Sequence, residues 1–180
     1  MPLHIDPPQD PDALQQQILR SLQGTFGDTI TLSAPYRLVT ADLRALARGE
    51  LLLSSDDRWQ CLVGAGEPMA AVDVVREGAG YEVVSVNHGR LATRFNDAVR
   101  LAEDSLGESD HALSGVEIPR LHLAAARLVP MVAGTELYIP VLPLITNTST
   151  IEPLRIYSVD ELVDVLQAEA RRALDEGLLA

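Results

Sequence analysis

Two periods alternate along this chain, one of about 3.6 residues and one of 2, and they divide it into helices and strands. Leu14, Ile18, Leu19 and Leu22 recur at helical spacing between Pro11 and Gly24. They predict a first helix, with Asp12 near its positive end. Residues 29–32 alternate and predict a short strand. TADLRALAR (40–48) predicts a short helix, with Thr40 as N-cap and Gly49 just past its end.

The middle of the chain switches to period 2. RWQCLV (58–63), MAAVDVV (69–75) and YEVVSV (81–86) read as strands, and the links GAGEP and REGAG are short and glycine-rich. Such links predict hairpins, hence a three-stranded antiparallel meander. Trp59, Cys61 and Val63 share one face of the first strand. In the third, strict alternation puts Tyr81, Val83, Ser85 and Asn87 on one side and Glu82, Val84, Val86 and His88 on the other.

Residues 90–106 return to the helical period, with Leu91, Phe95, Ala98, Val99, Ala102 and Leu106 on one face. Two apolar runs follow, VEIPRLHLAAARLV (116–129) and ELYIPVLPLI (136–145). They predict a second antiparallel strand pair, with Pro119, Pro140 and Pro143 at edges, bulges or strand ends. A terminal helix begins at a capping box, Ser158 with Glu161 three residues on. The predicted fold is α+β: an antiparallel sheet, made of the three-stranded meander plus the second strand pair, with N-terminal, central and C-terminal helices on one face. Residues 1–12, rich in proline, read as a flexible or extended lead-in, and 13–180 as a single α+β domain.

Composition narrows the function classes. The chain carries a net charge of −12, and all fourteen of its basic residues are arginine. Nucleic acid and anionic membrane surfaces want clustered cations, so neither is expected as a partner. The absence of lysine excludes a Walker-type loop and a Schiff-base lysine. The composition suits a high-GC bacterial genome. A single cysteine, Cys61, forms no internal disulfide, and MPLHIDPPQDPD is no secretory signal. A cytoplasmic protein is expected.

Candidate chemistry is sparse. The strongest point is Asn87-His88-Gly89, where a strand meets a helix. One reading makes His88 a general base, with Asn87 orienting it and Ser85 or Tyr81 nearby. The other makes Asn87 a helix N-cap and Gly89 the freedom to turn. His4, His111 and His122 are scattered and there is no Cys-x-x-Cys, so neither metal nor cofactor is expected. Cys61 reads as a small buried apolar residue. Asp56-Asp57 and Glu103-Asp104 read as surface. The loop TNTST (146–150) holds a hydroxyl cluster, and Asn147 opens a glycosylation-type triplet.

Two functions are carried forward. The first is a non-catalytic protein-interaction or accessory domain, including self-association, because runs 116–129 and 136–145 hold more apolar length than one sheet face needs. The alternative is a small-molecule-binding protein or hydrolase with its site around Asn87-His88. Whether the protein is an enzyme stays open between them.

Overall fold

The computed structural model describes residues 3–24, 30–65, 67–107, 109–142, 144–145 and 150–178. The TNTST loop and Asn147 fall almost wholly outside them, as does the start of the strand expected at 29–32. In chain order the elements are β1 (Leu3–Ile5), α1 (Pro11–Leu22), β2 (Thr31–Leu32), β3 (Tyr36–Ala41), α2 (Leu43–Ala47), β4 (Leu53–Ala65), β5 (Glu67–Glu77) and β6 (Gly80–His88). Then come α3 (Arg90–Ser105), β7 (His111–Ile118), a 3-10 turn (Pro119–Leu121), β8 (Leu123–Pro130), β9 (Leu137–Pro140), β10 (Leu144–Ile145), β11 (Thr150–Ile151), β12 (Tyr157–Ser158) and α4 (Val159–Leu178).

The expected antiparallel meander with a separate strand pair is corrected by one ten-stranded mixed sheet. Its order is β12-β9-β8-β7-β3-β4-β5-β6, with β1 also on β7 and β2 also on β4. The joint between its halves is parallel: Arg37 to Thr40 of β3 pair with Ser114 to Glu117 of β7. β1 continues along the same edge of β7, also parallel, with Leu3 opposite His111. A parallel pair needs a long crossover. Here that crossover contains β4, β5, β6 and α3, so no turn signal announces it. The second strand pair becomes a run of three, because Pro119 opens a turn that splits 116–129 between β7 and β8.

Helices cover both faces, not one. On one face α1 places Leu14, Ile18 and Leu22 against Trp59, Cys61, Val63, Val72 and Val74. On that same face α2 and α4 pack Leu46, Leu162 and Leu166 against Val39, Val116 and Tyr138. On the other face α3 places Phe95, Ala98 and Ala102 over Tyr36, Leu62, Ala71 and Leu128. Each fully buried Leu or Ile in these layers contributes about 2 kcal/mol of transfer free energy. The N-terminal lead-in is tied down by β1, whose Leu3 and Ile5 join the α3-side core.

Local signals explain the helix ends. Asp10 caps α1 by accepting from the Ala13 N–H at 3.0 Å, with Pro11 at the first helical position. Asp42, not Thr40, caps α2, accepting from the Ala45 N–H at 2.7 Å. Thr40 lies inside β3 instead. Gly49, at φ +88°, closes α2 in the left-handed conformation that glycine adopts without strain. At α4 the capping box is made: the Ser158 N–H donates to Glu161 at 2.8 Å and the Glu161 N–H to Ser158 Oγ at 3.3 Å. The Ser158 N–H, and after it the Ser158 hydroxyl donating to the same carboxylate at 3.0 Å, hold the Glu161 carboxyl below its usual pKa.

A polar row under helix α3 and the cleft at its end

Four polar residues stand side by side across four strands. Tyr36 pairs with Gln60, Gln60 with Asp73, and Asp73 with Ser85. The hydrogen bonds follow the register. The Tyr36 hydroxyl donates to Gln60 Oε1, the Gln60 amide donates to Asp73 Oδ1, and Ser85 Oγ donates to Asp73 Oδ2 at 2.6 Å. The Asn87 amide extends the row, donating to Ser85 Oγ at 3.1 Å. Tyr36, Gln60 and Asp73 are buried. A buried polar group is costly unless partnered, and each of these is partnered.

The row is sealed from above by α3. The ring of Phe95 stacks on Tyr36, with centroids 4.3 Å apart and planes 4° from parallel. Beside it on β7, Gly115 makes room: a Cβ there would come within 2.9 Å of Leu38 and 3.2 Å of the Tyr36 ring. Burial, then the charge of Asp73, pushes the Tyr36 hydroxyl well above its usual pKa, so it stays a donor.

One cation serves two acids at the row's flank. The Arg58 guanidinium lies 3.7 Å from Asp73 and 3.2 Å from Glu117. Burial raises the Glu117 pKa first, and the negative Asp73 raises it further, while Arg58 pulls it down; the net direction is up. Glu117 is therefore the carboxyl here that takes up a proton more readily than a solvated glutamate does.

This cluster reaches a cleft at the start of α3. The cleft encloses about 340 Å³, with Asn87, Glu117 and His122 as polar wall and Leu91, Leu123 and Leu142 among its apolar ones. Behind it a void of about 10 Å³, bounded by Gln60, Phe95 and Glu117 among others, has room for about one water molecule. His122, at φ +51° just after the 3-10 turn, holds the left-handed conformation uncommon for a side-chain-bearing residue.

Of the sequence-expected site residues, the structure brings Ser85 and Asn87 together and puts Tyr81 on the other face. β6 carries a bulge opposite the Asp73–Val74 step, so Val84 is an extra residue and strict alternation fails there. Tyr81 and Val83 consequently pack on the α1 side with Val86, while Ser85 and Asn87 bond on the α3 side. Tyr81 makes an edge-on contact with Trp59 and accepts from the Asp10 N–H at 3.2 Å. Asn87 lines the cleft and caps no helix; the N-cap of α3 is Gly89, at φ +96°, with no side-chain bond. His88, the next residue along the strand from Asn87, is solvent-exposed. Cys61 is fully buried, and burial pushes its thiol up to about 12, far from a reactive thiolate.

Sequence reasoning missed Gln60, Asp73, Arg58 and Glu117. The signal for two of them was present: Gln60 and Asp73 are lone polar residues inside apolar runs, and a buried acid requires a partner. Among the described residues no group of three His, Cys, Asp or Glu is placed to hold a metal ion. No helix there is long and apolar enough to cross a membrane. No family model matches the chain, and no curated protein or solved structure matches it either.

Proposed function

We propose that the chain is a small-molecule-binding domain whose site is the cleft at the start of α3. The observation that carries this reading is the polar row surfacing there: a cleft of about 340 Å³ whose wall includes Asn87, tied through Ser85 to Asp73, and Glu117, tied through Arg58 to the same acid. That volume lies in the range of small-ligand sites, which pair apolar walls with a few fixed polar groups. The acid on the wall is Glu117, beside the Asn87 amide, so the lining favours a small molecule bearing an amine or hydroxyl, with an apolar flank against Leu91 and Leu142. The hydrogen-bonded chain from Tyr36 to Asn87 contains no histidine, so this reading does not use His88 as a base. Cytoplasmic placement goes with it, the single thiol being buried and unbridged.

The interaction-domain reading drew its support from runs 116–129 and 136–145, which hold more apolar length than one sheet face needs. The runs in β7, β8 and β9 are instead covered by α3 on one side and α2 and α4 on the other. A narrower second reading, contact with a partner protein or second copy, rests on Met131 and Val132 after β8, 57% and 72% exposed.

A ligand-observed NMR screen of small amines and alcohols tests the first reading. The expected result is at least one ligand whose binding falls about tenfold or more in both Asn87→Leu and Glu117→Gln. Ligands that bind both variants as well as the original chain, or no ligand at all, would overturn it.

A further inference from the structure

A second concavity lies on the opposite side of the sheet, between α2, the 3-10 turn and the last residues of α4. It encloses about 880 Å³ and is the larger of the two. Its apolar lining comes from Ala41, Leu43, Ala47, Ile118 and Leu174. Its charged lining is Arg44, Arg48 and Arg120 against a single acid, Asp42. That acid is already committed, since its carboxylate caps α2 at 2.7 Å.

Three guanidinium groups around one groove stand out in a chain of net charge −12. Arg48 has a loose, exposed pairing with Glu50 at 3.7 Å. Arg44 and Arg120 make no ion pair among the described residues. Arg120 is held in place by packing: a Cβ on Gly177 would come against its guanidinium, so the bare backbone of α4 is what admits it. There it also faces the negative end of the α4 dipole. Arg44 on α2 and Arg48, its C-cap residue, lie four residues apart and line the same groove.

From this lining we infer that the groove binds an anionic small molecule with an apolar body, a carboxylate on a hydrocarbon chain being the simplest. Guanidinium forks match carboxylate geometry in pairs, and the apolar lining takes the tail. The volume falls within the range of small-ligand sites. This inference is independent of the cleft at α3, from which it differs in face of the sheet, charge and lining; the two share only Pro119.

The test is a titration of the full chain with decanoate, decanol and decyltrimethylammonium, followed by backbone amide NMR. Decanoate should give saturable shifts in α2, in the turn 119–121 and at the end of α4. The cationic analogue should give none there, and decanol should bind more weakly. Arg44→Gln and Arg120→Gln should each weaken decanoate binding about tenfold, the loss of one charge-assisted contact. Both residues are exposed, so the variants keep the fold, which far-UV circular dichroism checks; Arg20→Gln on α1 serves as control. Equal response to the three compounds, shifts confined to the α3 cleft, or unchanged affinity in the variants would each overturn the inference. Co-sedimentation with phosphatidylglycerol vesicles in the absence of saturable decanoate binding would overturn it too, by assigning the arginines to a lipid surface.

Discussion

Strands β4, β5 and β6 present two faces made of alternating residues, and the two could hardly differ more. Toward α1 they show Trp59, Cys61, Val63, Val72 and Val74, packed on Leu14, Ile18 and Leu22. In that layer the Trp59 indole N–H has no acceptor among the described residues. Toward α3 the neighbouring positions show Gln60, Asp73 and Ser85, each hydrogen-bonded to the next. Backbone, twist and depth are common to both faces. The difference is therefore written in side-chain chemistry alone. It teaches that the polar row is not a leak in the core: an equally buried apolar solution exists one residue away on every strand.

The largest effect should come from breaking the polar face. Asp73→Ala strands Arg58, Gln60 and Ser85 together, and should lower unfolding free energy by about 3–5 kcal/mol in urea denaturation. An effect near 1 kcal/mol would show that the row is solvated rather than sealed. On the apolar face the smallest core truncation serves as the yardstick. Ile18→Val should lower stability by about 1 kcal/mol in the same measurement, since one methyl group leaves and the site only partly collapses. If it matched Asp73→Ala, the contrast between the faces would vanish.

The subtlest difference is one of pH. The folded pKa of Glu117 stands above its ordinary value of 4.5. Its favourable contribution is thus fully present below that ordinary value and is lost as pH rises through the raised one. Glu117→Gln removes this titration. Its stability relative to the original chain should improve from acid to neutral pH, read from urea midpoints across a pH series. On the α1 face the raised group is the Cys61 thiol, pushed up to about 12 and so outside this range, and Ile18→Val should show the same difference from acid to neutral pH.

What the sequence made legible was local. The expected helix at 90–106 appears as Arg90–Ser105, and the shared face of Trp59, Cys61 and Val63 is real, because both follow from periods a few residues long. The site was less legible. Asn87 was found through its position before a glycine, but with the wrong partner, since the bulge at Val84 reverses which residues accompany it. Arg58 links Asp73 to Glu117; the β4–β5 hairpin that holds the first two was legible, but no local pattern brings Glu117 of β7 near them. β3 was passed over because YRLVTA runs straight into the helix signal of α2, and its parallel pairing leaves no turn to read.

That parallel joint also sets a clock. β3 meets β4 across a short separation, and β4, β5 and β6 close by hairpins, so this half can order early. The other edge of β3 stays open until β7 has been made. During synthesis that edge is a strand without a neighbour, exposed to mispairing with other chains for as long as translation of the crossover takes. Leu3–Ile5 waits longer still. It is made before β3, yet it has no place to dock until His111–Leu113 exists.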